Sequence, residues 1–157
     1  LPEEDIPAYK YLHMKHALSF IPYGCAVDEF QETVYDYPEM TSEERRELWK
    51  KLEREYTPWR HFETDTFLGE GRMWQRQTHI YRWPFYYIDY VLAQVCALEL
   101  HVMDEENHEK AWECYKNIIK LSGTKGFNDV VTSAGLPSPF EEDVIEELAK
   151  KVAGSIV

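Results

Sequence analysis

One histidine and a group of tyrosines form the part of this sequence best suited to chemistry: His79, then Tyr86, Tyr87 and Tyr90. They lie in the run Trp74-Gln75-Arg76-Gln77-Thr78-His79-Ile80-Tyr81-Arg82-Trp83-Pro84-Phe85-Tyr86-Tyr87-Ile88-Asp89-Tyr90. An imidazole changes charge near neutrality and can hold a polar ligand through either ring nitrogen. A tyrosine hydroxyl stays protonated at neutral pH, so a row of them aimed into a cleft can donate hydrogen bonds to developing negative charge. Tyr87, Tyr90 and Gln94 recur at i, i+3 and i+7, which aligns them on one face of a helix. Core packing accounts for the same spacing, since aromatic stripes line cores and a histidine among aromatics is often structural. The residues alone leave both readings open.

The other histidines offer little for a metal. His13 and His16, spaced i, i+3, could meet Asp28 or Glu29, but this spacing arises freely by chance. His101 and His108 lie among acids and read as solvated. No H-E-x-x-H, G-x-S-x-G, Walker loop or dinucleotide fingerprint occurs in the chain. No recognisable metal-ligand set is expected within it, and a self-contained hydrolase built on His13 and His16 lacks a general-base motif.

These residues need elements to position them. A length of 157 residues with 44% hydrophobic content can bury a core and fits one domain or a large part of one. A net charge of -12 supplies no basic stripe to displace phosphate counterions, which argues against a nucleic-acid partner. No window reaches the apolar length of a membrane span, and Leu1-Pro2-Glu3-Glu4-Asp5 has no basic signal-peptide start. Cys25, Cys96 and Cys114 are far apart and without C-x-x-C pairing, which predicts reduced, buried thiols and a cytoplasmic protein.

The pattern is helical throughout, without strand alternation or hairpin turns, so the class is all-α. Helices are predicted over about 8–20 and 25–35, with Ile21-Pro22-Tyr23-Gly24 as a turn between them. Thr41 and Glu44 form a capping box for a third helix, with Leu48, Leu52 and Tyr56 on its inner face. Residues 57–71 read as a connector, with Asp65 and Gly69 as turn-formers, and a further helix from about 71 carries Trp74 to Ile80. Pro84 biases Trp83 to an extended backbone, placing a loop between His79 and Tyr87. From 86 to about 103 the pattern is apolar on almost every side, which predicts a helix buried all round. Two more helices are expected over 105–121 and 127–133, and a last one is capped by Ser138-Pro139-Phe140-Glu141.

Three blocks carry a family resemblance. The segment Phe20-Ile21-Pro22-Tyr23-Gly24-Cys25-Ala26-Val27-Asp28-Glu29-Phe30-Gln31, the 74–98 block and Ala134-Gly135-Leu136-Pro137-Ser138-Pro139-Phe140 occur in one order. In that order they resemble the oligoendopeptidase F branch of the thimet-oligopeptidase family of zinc metallopeptidases, C-terminal to its metal-binding helices. The resemblance implies that residues 1–157 are a single helical domain or fragment, the C-terminal part of a zincin-type oligopeptidase catalytic domain. In such enzymes zinc, held by H-E-x-x-H and a downstream glutamate, activates water for peptide-bond attack. This chain would then bring no zinc ligand and be inactive alone. Its partners would be an oligopeptide substrate and the upstream zinc-bearing part of the same enzyme, with neither nucleic acid nor membrane.

Carried over residue by residue, His79 matches the loop histidine that hydrogen-bonds the peptide. Tyr87 and Tyr90 match the tyrosines that steady the oxyanion, and Tyr86 is placed beside the substrate. The thimet-like branch has a glycine-rich loop between histidine and tyrosines, where this chain has Tyr81-Arg82-Trp83-Pro84-Phe85. Many relatives have glycine before the histidine, where Thr78 stands here. The alternative from another class is a noncatalytic helical domain that binds a partner protein through its aromatic surface.

Overall fold

The computed structural model describes residues 2–62 and 64–155, and the elements among them are all helical. The chain divides into two compact units, Leu1–Val91 and Leu92–Val157.

In the first unit, α1 (Ile6–Asp36) is one helix of 31 residues where the sequence predicts two. Pro22 lies inside it and does not turn the chain. A proline there deletes a hydrogen bond and crowds the carbonyl four residues back, at a cost of about 3 kcal/mol. Burial of Tyr23, Ala26, Val27 and Phe30 at i, i+3, i+4 and i+7 offsets that cost. Gly24 serves close packing rather than a turn: a Cβ there would overlap Cγ2 of Val91, in the first turns of α4 (Tyr87–Glu106).

The capping box forms as expected on α2 (Ser42–Tyr56). Thr41 Oγ1 accepts from the Glu44 N–H at 3.2 Å, and the Thr41 N–H donates to Glu44 Oε2 at 2.7 Å. Leu52 is buried, and Leu48 and Tyr56 pack against the same cluster. Trp49, which the Leu48, Leu52, Tyr56 spacing leaves out, is the largest fully buried side chain. Its ring stands edge-on to Phe30 at 5.4 Å and to Tyr23 at 6.2 Å, so α1 and α2 meet through aromatics.

Glu53 is also buried on α2. Burial is the main influence and pushes its carboxyl up, with the Arg60 guanidinium pulling the other way. A carboxyl held higher in the folded chain than in the unfolded one lends stability below its unfolded value. That stability is lost as pH rises through the folded value. The Tm of Glu53→Gln should therefore rise relative to the parent between about pH 4 and about pH 7. Thermal melts at both pH values check this, and a difference independent of pH would refute it.

The connector turns where expected at Asp65, whose carboxylate accepts from the N–H groups of Phe67 at 2.8 Å and Leu68 at 2.6 Å. The helix predicted from 71 to 80 is instead two pieces: a 3-10 helix at Met73–Arg76 and the short α3 (Thr78–Arg82). They break at Gln77, whose backbone is extended and whose side chain bonds two distant or flanking groups rather than lying along a helix.

The division between units falls within α4. This helix is not buried all round as its composition predicts. Val91, Val95, Leu98, Glu99 and Val102 are buried, whereas Asp89, Tyr90, Ala93 and Ala97 face solvent. Its exposed stripe is built from a tyrosine and small alanines, which composition reads as core.

In the second unit, α5 (His108–Leu121) starts later than predicted, because Glu105 and Glu106 belong to α4 and Asn107 caps α5 by accepting from the Lys110 N–H at 3.0 Å. The short helix expected near 127–133 is α6 (Phe127–Ala134). Ser138 does not cap the last helix, α7 (Val144–Ser155). Its hydroxyl accepts from the Phe140 N–H at 3.2 Å and donates to Asn128 Oδ1 at 2.8 Å, fixing a turn between α6 and α7. Cys114, Val131, Ala134 and Leu136 form the core here, with Cys96, Leu100, Met103 and Ile118 against them.

All three cysteines are free; Cys114 is buried, and Cys25 and Cys96 are half-buried rather than buried as expected. Burial raises each thiol, that of Cys96 to about 11, so they remain protonated and unreactive at neutral pH. Among the described residues no helix is long and apolar enough to cross a membrane.

Candidate functional site

The four residues singled out from the sequence come together in the first unit. His79 lies in α3, Tyr86 in the turn before α4, and Tyr87 and Tyr90 in the first turn of α4. The His79 ring centroid is 5.0 Å from Tyr87, 5.7 Å from Tyr90, 6.4 Å from Tyr86 and 5.9 Å from Trp83. The tyrosines also touch one another, with Tyr86 and Tyr90 at 5.2 Å and Tyr87 and Tyr90 at 5.7 Å. Gln94, the third member of the predicted stripe, falls in the second unit.

The cluster has a packed side and an open side. Tyr87 is half-buried and meets Phe20 at 5.7 Å and Tyr23 at 6.1 Å. Tyr86 and Tyr90 remain 46% and 41% exposed, so their hydroxyls are accessible to a ligand. Burial chiefly raises the Tyr87 hydroxyl. For Tyr90 the first cause of the upward shift is its hydrogen bond with Tyr86. Both therefore stay protonated donors at neutral pH.

The turn joining α3 to α4 is held by packing rather than by glycine. Trp83, before Pro84, leaves the helical region but stops at a ψ of 69°, short of the extended backbone the proline predicts, because its N–H still donates to the His79 carbonyl at 2.9 Å as at a helix end. Phe85 takes a φ of 62°, and among the described residues it is the one side chain other than glycine with a positive φ. A left-handed phenylalanine costs about 1–2 kcal/mol. The Tyr35 ring, 4.9 Å away, packs on it and helps to hold the strained turn.

The relations of this chain lie among solved structures. No protein-family model matches it, and no curated protein does. Solved structures do. A Pz peptidase A solved with an inhibitor superposes with a TM-score of 0.92 at 41% identity, over 98% of this chain and 27% of its own. A chain described as an oligoendopeptidase F gives 0.92 at 42% identity with the same coverage. One so described from Bacillus anthracis gives 0.78 at 36% identity, over 98% of this chain and 24% of its own. By sequence and by fold, the chain is oligoendopeptidase F-like. It spans about a quarter of the length of the solved relatives it matches.

The cluster also includes residues that the sequence did not single out. Gln77 Nε2 lies 2.7 Å from His79 Nδ1, and Gln77 Oε1 accepts from the Tyr23 hydroxyl at 3.1 Å. Arg60 sits over the Tyr23 ring, its guanidinium carbon 4.7 Å from the centroid. The only hint in the sequence was the closeness of Gln77 to His79. Tyr23 and Arg60 reach the site through tertiary packing alone.

His13, His101 and His108 have partners of their own. His13 is exposed and stacks on Tyr9 at 6.0 Å. His108 Nδ1 pairs with Asp104 at 2.6 Å, and His101 Nε2 lies 3.7 Å from Glu105. Among the described residues no group of three or more His, Cys, Asp or Glu side chains could hold a metal ion.

Proposed function

We propose that this chain is the C-terminal, substrate-binding part of a zinc metalloendopeptidase that hydrolyses oligopeptides, both of its units belonging to the helical catalytic domain. The observation that carries the reading is His79 ringed by Tyr86, Tyr87 and Tyr90, in a chain 41–42% identical to peptidase segments. Among the described residues no group of side chains fits a zinc site, and on this reading the ligands of the metal belong to the upstream part of the same enzyme. The metal, when bound there, supplies an activated water.

What this chain contributes is positioning and hydrogen bonding. His79 holds a peptide carbonyl or N–H, Tyr86 lies along the substrate, and the hydroxyls of Tyr87 and Tyr90 donate to the oxyanion formed when water adds to the scissile carbonyl. Three free cysteines support a reducing, cytoplasmic setting.

The test is steady-state cleavage of a quenched fluorescent peptide by the complete enzyme. His79→Ala should raise KM and lower kcat together, with kcat/KM down on the order of 10²-fold. Unchanged kinetics in His79→Ala, or no zinc-dependent cleavage by the parent enzyme, would favour the noncatalytic interaction domain instead.

A further inference from the structure

Gln77 has no part in the reaction proposed above, yet its amide bridges two groups at the site. One end faces Nδ1 of His79 at 2.7 Å, and the other accepts from the Tyr23 hydroxyl at 3.1 Å. The second bond decides the sense of the first. Tyr23 is 9% exposed, its ring is held edge-on by Trp49 and Tyr87, and Arg60 covers its face. Burial foremost raises its hydroxyl to about 12, so it carries its proton throughout the physiological range. A protonated phenol can donate or accept, and here it donates to the amide oxygen of Gln77, with the amide NH2 facing the imidazole.

An NH2 group only donates, so Nδ1 of a neutral His79 must accept and the ring proton must sit on Nε2. We infer that Gln77, anchored by Tyr23, is a positioning residue that holds His79 as its Nε2–H tautomer. The ring then presents a hydrogen-bond donor to its ligand, which selects acceptors of the peptide-carbonyl class. The opposite tautomer would turn a lone pair toward a carbonyl oxygen and repel it. The value of this device to substrate binding rests on the peptidase reading; the tautomer itself does not.

NMR of isotope-labelled histidine nitrogens in the full-length protein tests it, above the pH at which the imidazole titrates. His79 is assigned by the signals lost in His79→Gln. The parent should show a protonated Nε2 and an unprotonated, hydrogen-bonded Nδ1. Gln77→Glu replaces the donor with a carboxylate that only accepts, so the proton should move to Nδ1. If that variant does not fold, Gln77→Met serves, and its Nδ1 signal should shift as the hydrogen bond disappears. A protonated Nδ1 in the parent, a retained Nε2–H in Gln77→Glu, or an unmoved Nδ1 signal in Gln77→Met would overturn the assignment.

Kinetics separates the two readings. Gln77→Glu should lower kcat/KM about tenfold, the worth of one hydrogen bond, and should add nothing in a His79→Ala background. Full peptidase activity in Gln77→Glu with the proton moved would overturn the role in binding. An enzyme without peptidase activity would remove the proposed function and leave the tautomer standing.

Discussion

Tyr90→Phe in the complete enzyme should lower kcat on the order of 10²-fold and leave KM nearly unchanged. The substitution removes one hydroxyl and keeps the ring, so the contacts of Tyr90 with His79 at 5.7 Å, Tyr86 at 5.2 Å and Tyr87 at 5.7 Å are preserved. A donor that matters only once the oxyanion forms stabilises the transition state and not the bound peptide, which is why kcat and not KM carries the loss. Tyr90 is exposed, so its hydroxyl can turn to the oxyanion by giving up the hydrogen bond with Tyr86 that holds it protonated. A structural Tyr90 predicts the reverse: slightly lower thermal stability with kcat within about twofold of the parent. Steady-state kinetics on both proteins decides between them.

Gly24→Ala should destabilise the fold by about 3 kcal/mol, the upper range for overpacking. On an exposed helix the same change would stabilise by roughly 1 kcal/mol, because alanine is the better helix former. The sign reverses here because the new methyl would overlap Cγ2 of Val91 and approach Tyr87 Cδ1 at 3.9 Å. Both neighbours belong to the first turns of α4, so the strain falls on the turn that carries Tyr87 and Tyr90. Thermal melting should show a loss of about 10 °C for a chain of this size, largely recovered when Val91→Ala makes room. A Gly24→Ala protein as stable as its parent would show that α1 and α4 have slack at this contact.

Where structure departs from the sequence reading, a tertiary contact overrides a local signal. A proline and a glycine one residue apart are turn-formers in isolation, and Ile21-Pro22-Tyr23-Gly24 carries that local signal. Within α1 the same residues place Tyr23 in the core and let α4 pack against Gly24. Ser138, Pro139 and Glu141 carry the local marks of a helix start, yet the Ser138 hydroxyl is taken up by Asn128, ten residues back, and the helix begins at Val144. Trp49 escaped an i, i+4 count because the inner face of α2 is wider than one row of side chains.

The sequence by itself determined the helical class, the capping box at Thr41 and Glu44, and the grouping of His79 with Tyr86, Tyr87 and Tyr90. Each depends on interactions between residues a few positions apart, where spacing fixes geometry. Only the tertiary structure decided that Gln77 and Tyr23 support His79, and that Tyr35 holds the left-handed Phe85. Those partners are 54 and 50 residues apart, Tyr23 from Gln77 and Tyr35 from Phe85. No local period encodes such a separation, because the pairing is set by how α1 packs beside the turn, and that packing is a property of the folded core.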